Sequence, residues 1–399
     1  MKILYLCHRF PFPPKRGGKI RPFNMIRHLQ ASGHQVTVCS LSRSDAETAE
    51  SQGIAEHCER FHIGQVREPV QFIRMVLRLP LLTPSSMGYF YCSDTAAEVK
   101  RLLAAERFDL IFVHCSSVAQ YVEDVQGIPK ILDFGDMDSQ KWIEYANYKP
   151  WPLSWGYLLE GHKMLRAEKA LARKFDLCTA TTRAEWQTLE DYGTGAKTDW
   201  FPNGVDASAF SPAAPDHHDP DLVSFIGRMD YYPNQECMLR FCQEVWPILR
   251  ARRSSLKLTI VGAEPPPFIR ALGELPGVTV TGSVPKVQPY VLKSCVNVAP
   301  LAIARGTQNK ILEAMAMGVP VVTSPAAAGG VDAVAGEHLL VADSAQDIAD
   351  AVLRVVESPA ERARLAQAGR ERVLSHHDWA ASMRRLDGII ARCLQGGAK

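Results

Sequence analysis

Short apolar runs alternate with amphipathic stretches of helical spacing along almost the whole chain. In the first half the pattern predicts six strands, with helices between them such as those over 19–32 and 95–106. Strands that are apolar at nearly every position are typical of a parallel sheet covered by helices on both faces. The predicted strands are Ile3–Cys7, Val36–Leu41, Leu110–His114, Lys130–Asp133, Leu177–Ala180 and Thr198–Phe201.

The pattern breaks after Phe201 and then resumes. Residues 202–220 hold four prolines, an Asn203-Gly204 pair and the polar run Asp216–Asp219, a composition typical of a linker. A second strand–helix series follows and ends in three helical segments, the last of them capped by Asp378. Its predicted strands are Leu222–Ile226, Leu256–Val261, Val278–Thr281, Val296–Ala299, Val319–Thr323 and His338–Val341.

This organisation predicts two α/β domains with a ligand cleft between them. We place the first domain at 1–203, a linker at 204–220, the second domain at 221–375 and a final helical segment at 376–399. Ligands of parallel sheets bind beyond the carboxyl ends of the strands, so the residues that follow each strand are the first candidates for a site.

Composition narrows the class of protein. The chain has 399 residues, is 46% hydrophobic and 22% charged, and carries a net charge of +2, which does not favour nucleic acid as a partner. None of the ten cysteines forms a C-x-x-C pair, so we expect buried reduced thiols in a cytoplasmic protein. The first apolar run is too short for a signal peptide, and no run is long enough to span a bilayer.

The stretch PLAIARGTQNKILEAMAMGVPVVTS, residues 300–324, carries the strongest indication of function. A strand ends at Pro300, a glycine turn follows, and a helix begins near Gln308. The start of a helix presents unpaired N–H groups and favours negative charge, which suits a phosphate group. The candidate phosphate-binding residues of the turn are Arg305, Gly306 and Thr307.

Two charged residues lie in the first two turns of that helix. Lys310 is three residues before Glu313, so both lie on one helix face. There the lysine can reach a diphosphate and the glutamate can accept both hydroxyls of a ribose. An ordinary ion pair between the two side chains is the structural alternative.

The connections after two strands of the first domain hold further candidates. Gly17 and Gly18 are predicted just before a helix, where a backbone without side chains can approach an oxygen-rich ligand closely. His114 ends an apolar strand, where it can bind a sugar hydroxyl or share a proton near neutral pH. A loop without a ligand and a buried, satisfied histidine are the alternatives.

Acidic residues follow the next strand. Asp133, Asp136 and Asp138 lie in LDFGDMDSQKW, where carboxylates can bind sugar hydroxyls, ligate a metal or take a proton. Asp138 is equally placed to cap the following helix. No histidine or further acid stands at ligand spacing, so we predict no dedicated metal site.

Arg228 follows the first strand of the second domain, in FIGRMDYYPN. A guanidinium at a strand end is suited to bidentate contact with phosphate oxygens. A surface ion pair is the alternative.

Four motifs in order resemble the family 4 glycosyltransferases. They are Gly17-Gly18, the PNGVD of 202–206, the FIGR of 225–228 and the LEAMAMGVPVV of 312–322. The resemblance covers essentially the whole chain, and the last motif is the most specific. Within the family, GRMDYYPN, ARGTQNKILEAMAMG and DFGDMDSQKW look most like the sugar transferases of exosortase-associated bacterial exopolysaccharide clusters.

The resemblance implies a GT-B fold, in which two Rossmann-like domains face a central cleft. It also implies a retaining hexosyltransferase that needs no metal or other cofactor and takes a UDP- or GDP-sugar as its substrate. The acceptor would be a glycan or a lipid-linked alcohol. By position, Glu313 would hold the ribose, Arg228 the diphosphate, Gly17 and Gly18 the diphosphate or sugar, and His114 the donor sugar.

The sequence departs from the family pattern at two places. Many relatives carry a glutamate eight residues before the one that binds ribose, and here Arg305 stands there. Many also carry a lysine shortly after the arginine, where this chain has Tyr232, Pro233 and Asn234. Our hypothesis is that Lys310, with Arg305 nearby, supplies the missing cation, so that His114, Arg228 and Lys310 form the catalytic set and Asp136 and Asp138 lie on the acceptor side.

Two other functions fit the same pattern. A GT-B epimerase or hydrolase would use the same cleft without an acceptor alcohol. A non-catalytic sugar-nucleotide-binding subunit would account for the missing glutamate. We also expect peripheral contact with anionic lipid at the inner face of the cytoplasmic membrane through the basic stretch 157–175, which Trp151 and Trp155 precede. A core-packed helix with a solvated charged face is the alternative for that stretch.

Overall fold

A computed structural model describes residues 1–14, 17–212 and 218–396. The chain forms two compact units. One comprises Met1–Phe201 together with Met383–Lys399, and the other comprises Pro202–Ser382. Residues 213–217 of the predicted linker, and the last three residues of the predicted final segment, lie outside the described residues.

The first unit contains a seven-stranded parallel sheet. Its strand order is β3-β2-β1-β4-β5-β6-β7, which is a doubly wound order and confirms the predicted Rossmann-like class. The order reverses between β1 and β4, where Cys7 is the register partner of His114. The strands are β1 Lys2–Cys7, β2 Gln35–Ser42, β3 Arg60–Gln65, β4 Leu110–His114, β5 Lys130–Gly135, β6 Leu177–Ala180 and β7 Thr198–Trp200.

Helices connect these strands, and short 3₁₀ turns at Ser51–His57 and Ser116–Tyr121 supplement them. The helices are α1 Gly17–Ala31, α2 Asp45–Glu50, α3 Glu68–Leu77, α4 Ser85–Tyr89, α5 Ser93–Ala105, α6 Asp138–Ala146, α7 Leu153–Lys174 and α8 Arg183–Asp191. At the centre of the sheet every residue of β4 is buried, and four of its five residues are apolar. A strand of that kind needs helices on both faces.

The second unit repeats the design with a six-stranded parallel sheet. Its order is β10-β9-β8-β11-β12-β13, again doubly wound. The strands are β8 Asp219–Ile226, β9 Lys257–Val261, β10 Val278–Val280, β11 Ser294–Ala299, β12 Val321–Thr323 and β13 Leu340–Val341.

Its helices are joined by a π-helical turn at Phe241–Val245 and a 3₁₀ turn at Ala271–Glu274. The predicted cap of the final helix is confirmed, because Asp378 Oδ2 accepts the N–H of Ala381 at 3.1 Å. The helices of this unit are α9 Tyr232–Arg240, α10 Trp246–Arg252, α11 Pro267–Arg270, α12 Gln288–Leu292, α13 Asn309–Ala316, α14 Pro325–Ala328, α15 Ala345–Glu357 and α16 Pro359–His376. The final helix, α17 Trp379–Gly396, begins in this unit, and its residues from Met383 onward belong to the first unit.

One strand was missed, and several predicted strands differ from the structure by one to three residues at an end. The strand β3 was missed because it lies at the edge of the sheet. Its sequence, RFHIGQ, alternates polar with apolar residues and is mostly half-buried, so it lacks the apolar run by which the other strands were predicted. β8 begins at Asp219, three residues before the predicted start. β12 begins at Val321 instead of Val319, because the N–H of Val319 still closes the end of α13 by donating to Ala314 O at 3.0 Å. Gly318 permits this ending through a φ of 69°.

The cysteine prediction is confirmed, since all ten are buried free thiols. The interpretation of 157–175 as a lipid-facing basic surface is wrong for its central lysine. Lys163 is buried, and its ammonium donates to Leu79 O at 2.6 Å and Arg78 O at 3.3 Å. Lys174 pairs with Glu123 at 2.8 Å. No helix of the described residues has both the length and the apolar character that crossing a membrane requires.

Candidate active site

The loop 305–308 shapes the start of α13 in the second unit. Gly306 adopts a φ of 65°, which favours glycine, and Gln308 is the N-cap of a helix that begins at Asn309, one residue after the predicted start. The Gln308 side chain donates to Arg305 O at 3.1 Å and to Gly306 O at 3.4 Å, and these bonds stabilise the turn that precedes the helix. The first N–H groups of the helix are therefore left to a ligand or to water.

Thr307 adds an unsatisfied polar atom to this helix start. Its Oγ1 is buried and has no hydrogen-bond partner among the described residues. A buried hydroxyl without a partner costs free energy, which a bound oxygen-rich group would recover. Arg305 lies half-buried in the same loop.

Lys310 extends from α13 towards the end of β8. Its Nζ donates a hydrogen bond to Asn234 Oδ1 and lies 5.0 Å from the centre of the Phe225 ring. Burial lowers the pKa of Lys310 to about 8, against the opposing effect of Glu313. The ammonium is therefore largely charged at neutral pH while it has lost much of its solvent.

Glu313 is half-buried one turn further along the helix. Burial raises the pKa of its carboxyl to about 7, and the charge of Lys310 partly opposes this shift. The alternative of an ordinary Lys310–Glu313 ion pair is wrong for this structure. The ammonium donates its hydrogen bond to Asn234 instead, and the charges of Lys310 and Glu313 interact only at longer range. A glutamate of this kind gains from ligand hydroxyls that donate to it.

Arg228 lies at the end of β8 with carboxylates on two sides. Its guanidinium makes two hydrogen bonds to Asp230, at 3.0 and 2.7 Å, and one of 2.6 Å to Glu264. Glu264 holds its position with a φ of 56°, an uncommon backbone conformation for a residue with a side chain. The ion-pair alternative for Arg228 is therefore present in this structure, and an anion would have to compete with it.

Asn234 links Arg228 to Lys310 and was not predicted as a site residue. Its Nδ2 donates to Arg228 O at 2.7 Å while its Oδ1 accepts from Lys310. A Cβ on Gly227 would lie 2.7 Å from Asn234 Nδ2, so this glycine makes room for the amide. One sequence signal was available, since Asn234 stands in the region where many relatives of the resembled family have lysine.

His114 is paired with Asp133 in the first unit. The two are register partners at the ends of β4 and β5, and His114 Nδ1 lies 2.7 Å from Asp133 Oδ2. This contact orients the ring and holds a proton on Nδ1, which leaves Nε2 for a ligand. The predicted position of His114 at a strand end is confirmed, and its burial matches the satisfied-histidine alternative as well.

Arg21 completes this buried network and was missed by sequence reasoning. It donates to both carboxylate oxygens of Asp133, at 2.8 and 3.0 Å, and lies 3.6 Å over the Phe201 ring. Burial by itself would raise the pKa of Asp133, but Arg21 and His114 outweigh it and hold that pKa below its usual range. The signal was an arginine at helical spacing from Met25 and Leu29 on an otherwise apolar face.

The remaining candidates of the first unit are placed differently from expectation. Gly17 and Gly18 are the first two residues of α1 instead of preceding it, and a Cβ on Gly18 would lie 3.6 Å from Arg9. Asp136 accepts from Thr181 Oγ1 at 3.2 Å.

Asp138 is not the cap of α6. It is the first helical residue, and its Oδ2 lies 3.5 Å from Ser116 Oγ in the loop after His114. Buried Glu168 instead accepts the N–H of Ser139 at the start of the helix, at 3.0 Å. Burial raises the pKa of Asp138. Its carboxylate is therefore free of helix capping and lies close to the strand end that carries His114.

Family models match both halves of the chain. The model described as Glycosyltransferase Family 4 matches residues 16–209, and the model described as Glycosyl transferases group 1 matches residues 220–358. The chain belongs to the family 4 glycosyltransferases. No curated protein matches this glycosyltransferase.

Solved structures of similar fold span the whole glycosyltransferase. Sucrose-phosphate synthase from Thermosynechococcus elongatus aligns with 18% identity and a TM-score of 0.71, covering 98% of this chain and 99% of that one. HepE from Anabaena, in complex with UDP, aligns with 15% identity and a TM-score of 0.71, covering 98% and 100%. An Escherichia coli structure titled trehalose-6-phosphate, bound with UDP-2-fluoro glucose, aligns with 13% identity and a TM-score of 0.67, covering 99% of each chain. These likenesses show the GT-B fold.

Proposed function

We propose that this glycosyltransferase moves a hexosyl group from a nucleoside diphosphate sugar to an acceptor hydroxyl with retention of anomeric configuration. The observation that carries the proposal is the grouping at β8 and α13. An ammonium, Lys310, is held by Asn234 beside the strand end that bears Arg228, and a helix start and Glu313 complete the set. A cation, N–H donors and a carboxylate match a diphosphate next to a ribose.

The donor is a UDP- or GDP-sugar in this proposal. Support comes from structural neighbours, since HepE is described with UDP and with UDP-glucose and TarM with UDP. Glu313 accepts the ribose hydroxyls, the N-terminus of α13 with Gly306 and Thr307 contacts the diphosphate, and Gly17 and Gly18 approach the diphosphate or sugar.

Charge on the leaving diphosphate is stabilised by side chains in this mechanism. As the bond from the anomeric carbon to the diphosphate oxygen breaks, negative charge grows on that oxygen. Arg228 and Lys310, with Arg305 nearby, place positive charge there without a metal ion, and a preorganised group of this kind contributes about 3–4 kcal/mol to transition-state stabilisation. Lys310 is well suited because Asn234 holds its ammonium in place before the substrate arrives.

The transfer step is a front-face substitution. The acceptor oxygen bonds to the anomeric carbon from the side on which the nucleoside diphosphate leaves, and the acceptor proton passes to a diphosphate oxygen. His114, oriented by Asp133, binds a hydroxyl of the donor sugar through Nε2. Asp136 and Asp138 are proposed to lie on the acceptor side.

We further propose a role in exopolysaccharide or other cell-surface glycan biosynthesis, at the inner face of the cytoplasmic membrane. The acceptor would be a glycan or a lipid-linked alcohol. This part is supported by the motif likeness to exopolysaccharide transferases and by the apolar surface described below.

The test begins with a thermal-shift panel of nucleoside diphosphate sugars, because a ligand of the native state raises its apparent stability. The stabilising sugar nucleotide is then incubated with candidate acceptors, and the anomeric proton of the product is followed by NMR. A glycoside with the donor's configuration supports the proposal. Inversion, or free sugar as the sole product with every acceptor, would contradict it.

A further inference from the structure

Exposed apolar side chains are concentrated in one part of the first unit. Among the described residues, fourteen of the twenty large apolar side chains that are exposed lie in the segments 70–82 and 148–159, which we call the apolar surface. Trp151 is 84% exposed, Leu82 75%, and Leu77 and Trp155 68% each. A patch of this size is uncommon on a monomeric protein and indicates an apolar partner.

Helix α3 is amphipathic, but it exposes its apolar face and turns polar side chains towards the protein. The polar side chains of Gln71 and Arg74 face the protein, since Gln71 donates to Tyr91 O at 3.2 Å and Arg74 donates to the same carbonyl at 2.8 Å. The apolar residues on the other side, among them Phe72 and Ile73, face outwards. A helix that packs on a protein core normally buries its apolar stripe, so this helix offers that stripe to something else.

Polar contacts join the two segments into one surface. Lys163 in α7 donates to the carbonyls of Arg78 and Leu79, at the end of α3. One turn earlier, Glu160 accepts the N–H groups of Ser85 at 3.1 Å and Ser86 at 2.7 Å. The exposed start of α7 lies about 10 Å of helical rise from Glu160, so the two segments belong to elements that contact each other.

We infer that the apolar surface docks on a lipid bilayer that contains anionic lipid. Gln71 in the first segment, and Glu160 and Lys163 just after the second, direct their polar groups to contacts inside the protein. The exposed side chains are mostly tryptophan, phenylalanine and leucine, which offer few hydrogen bonds to fix the orientation of a protein partner. The hydrocarbon of a bilayer requires no such hydrogen bonds. Tryptophan at such an edge is typical of a membrane–water interface.

The charge around the surface favours anionic lipid over neutral lipid. The segment 67–84 has three arginines against one glutamate, although Arg74 is bonded to Tyr91 O, and the segment 148–159 has one lysine, Lys149, and no acidic residue. Glu160 and Lys163, which follow this segment in α7, are both turned inward and do not contribute to the surface charge. Each basic group near an anionic bilayer adds a modest attraction, and the apolar contacts provide most of the binding. The inference does not depend on the donor or on turnover.

The test is co-flotation of the purified full chain with vesicles of phosphatidylglycerol and phosphatidylcholine. Wild type should float with these vesicles, and it should still float, more weakly, in 0.5 M salt. Phe72→Ser and Trp151→Ser should each lower the partition coefficient about tenfold or more, as expected for losing a large apolar side chain from the interface. Phe268→Ser is the matched control, since Phe268 is an exposed phenylalanine of the second unit, and it should float like wild type.

Two results would overturn the inference. One is absence of flotation at low salt. The other is a concentration-dependent dimer in analytical ultracentrifugation that Phe72→Ser dissociates, which would assign the surface to a second copy of the chain. Folding is checked independently, because the two serine variants should keep the wild-type melting temperature while losing the blue shift of tryptophan fluorescence that vesicles induce in wild type.

Discussion

Lys310 Nζ donates a hydrogen bond to Asn234 Oδ1, and this contact joins helix α13 to the residues that follow β8. Asn234 in turn donates to the carbonyl of Arg228 at 2.7 Å. In many relatives of the resembled family a lysine comes from the region of Asn234. Here the Lys310 ammonium reaches that region from a different helix, and this contact is the basis of our proposal that Lys310 supplies the missing cation.

Removing this ammonium should impair catalysis more than folding. We expect Lys310→Ala to lower kcat by about 100- to 1,000-fold, the usual effect of losing one group that stabilises transition-state charge. Asn234→Ala should lower kcat/KM by about tenfold or more, because the ammonium keeps its charge but loses its anchor. Steady-state kinetics with the sugar nucleotide found in the thermal-shift panel measures both.

A matched control lies next to Asn234. Gln235 donates to Met229 O at 2.6 Å, as Asn234 does to Arg228 O, but only Asn234 contacts Lys310. Gln235→Ala should leave the kinetics within about twofold. In a double-mutant cycle, Asn234→Ala should add little to Lys310→Ala, since the two act as a unit. Full additivity would show that the contact has no part in catalysis.

Nucleotide affinity should depend on pH through Glu313 and Lys310. The pKa of Glu313 is raised to about 7 by burial, and that of Lys310 is lowered to about 8. The carboxylate accepts ribose hydroxyls only when it is ionised, and the ammonium attracts the diphosphate only when it is protonated. The affinity for UDP should therefore rise with pH up to about 7–8 and fall above it. Titration calorimetry of wild type and Glu313→Gln across this pH range tests the prediction. In the variant the affinity should no longer rise between acidic pH and pH 7, but it should still fall above pH 8.

Glu313→Gln should weaken UDP binding near neutral pH but stabilise the folded protein. A carboxyl group whose pKa is higher in the folded state than in the unfolded state destabilises the fold as pH rises from about 4.5 to 7. We therefore expect Glu313→Gln to gain about 1–3 kcal/mol relative to wild type between pH 5 and pH 8. Urea unfolding at the two pH values measures the gain. Equal differences at both would mean that Glu313 is solvated in the free protein.

Arg228 should bind a diphosphate better when its competing carboxylates are neutral. It is engaged by Asp230 at 2.7 Å and by Glu264 at 2.6 Å. We expect Asp230→Asn and Glu264→Gln each to tighten UDP binding by about two- to fivefold, the range of an exposed ion pair. Asp350→Asn, which breaks an exposed pair with Arg252 elsewhere in the same unit, is the control. Weaker binding in the first two variants would show that these carboxylates preorganise Arg228.

Asp133 should be among the most sensitive buried positions of the first unit. Asp133→Ala leaves the Arg21 guanidinium buried without a counter-charge, and we expect a loss of about 3–5 kcal/mol. Thr179→Val removes only one hydrogen bond of 2.8 Å to the same carboxylate and should cost about 1 kcal/mol. Chemical denaturation compares them. A similar small loss in both would show that Arg21 relaxes towards water.

Much of the fold follows from local pattern, as particular elements show. β4 is apolar at four of five positions and was predicted with its observed bounds, and the turn before α13 was predicted from one glycine and the start of a helical pattern. β3 was not predicted because an edge strand with half-buried polar residues has no continuous apolar run. His114, Arg228 and Lys310 were chosen as candidates because ligand groups follow strands and begin helices. Asp133 was named as well, but its pairing with His114 and Arg21, and the contact of Lys310 with Asn234, were not predicted.

The sequence by itself determined the two doubly wound α/β units, the family and the candidate positions for chemistry, because apolar alternation and glycine turns act over short distances. The tertiary structure decided what those residues contact. Asn234 meets Lys310 across 76 residues and Arg21 meets Asp133 across 112. Likewise, α3 turns its apolar stripe outwards because its polar side chains are bonded to the chain at Tyr91. Such contacts depend on strand order and loop paths, which no local pattern encodes.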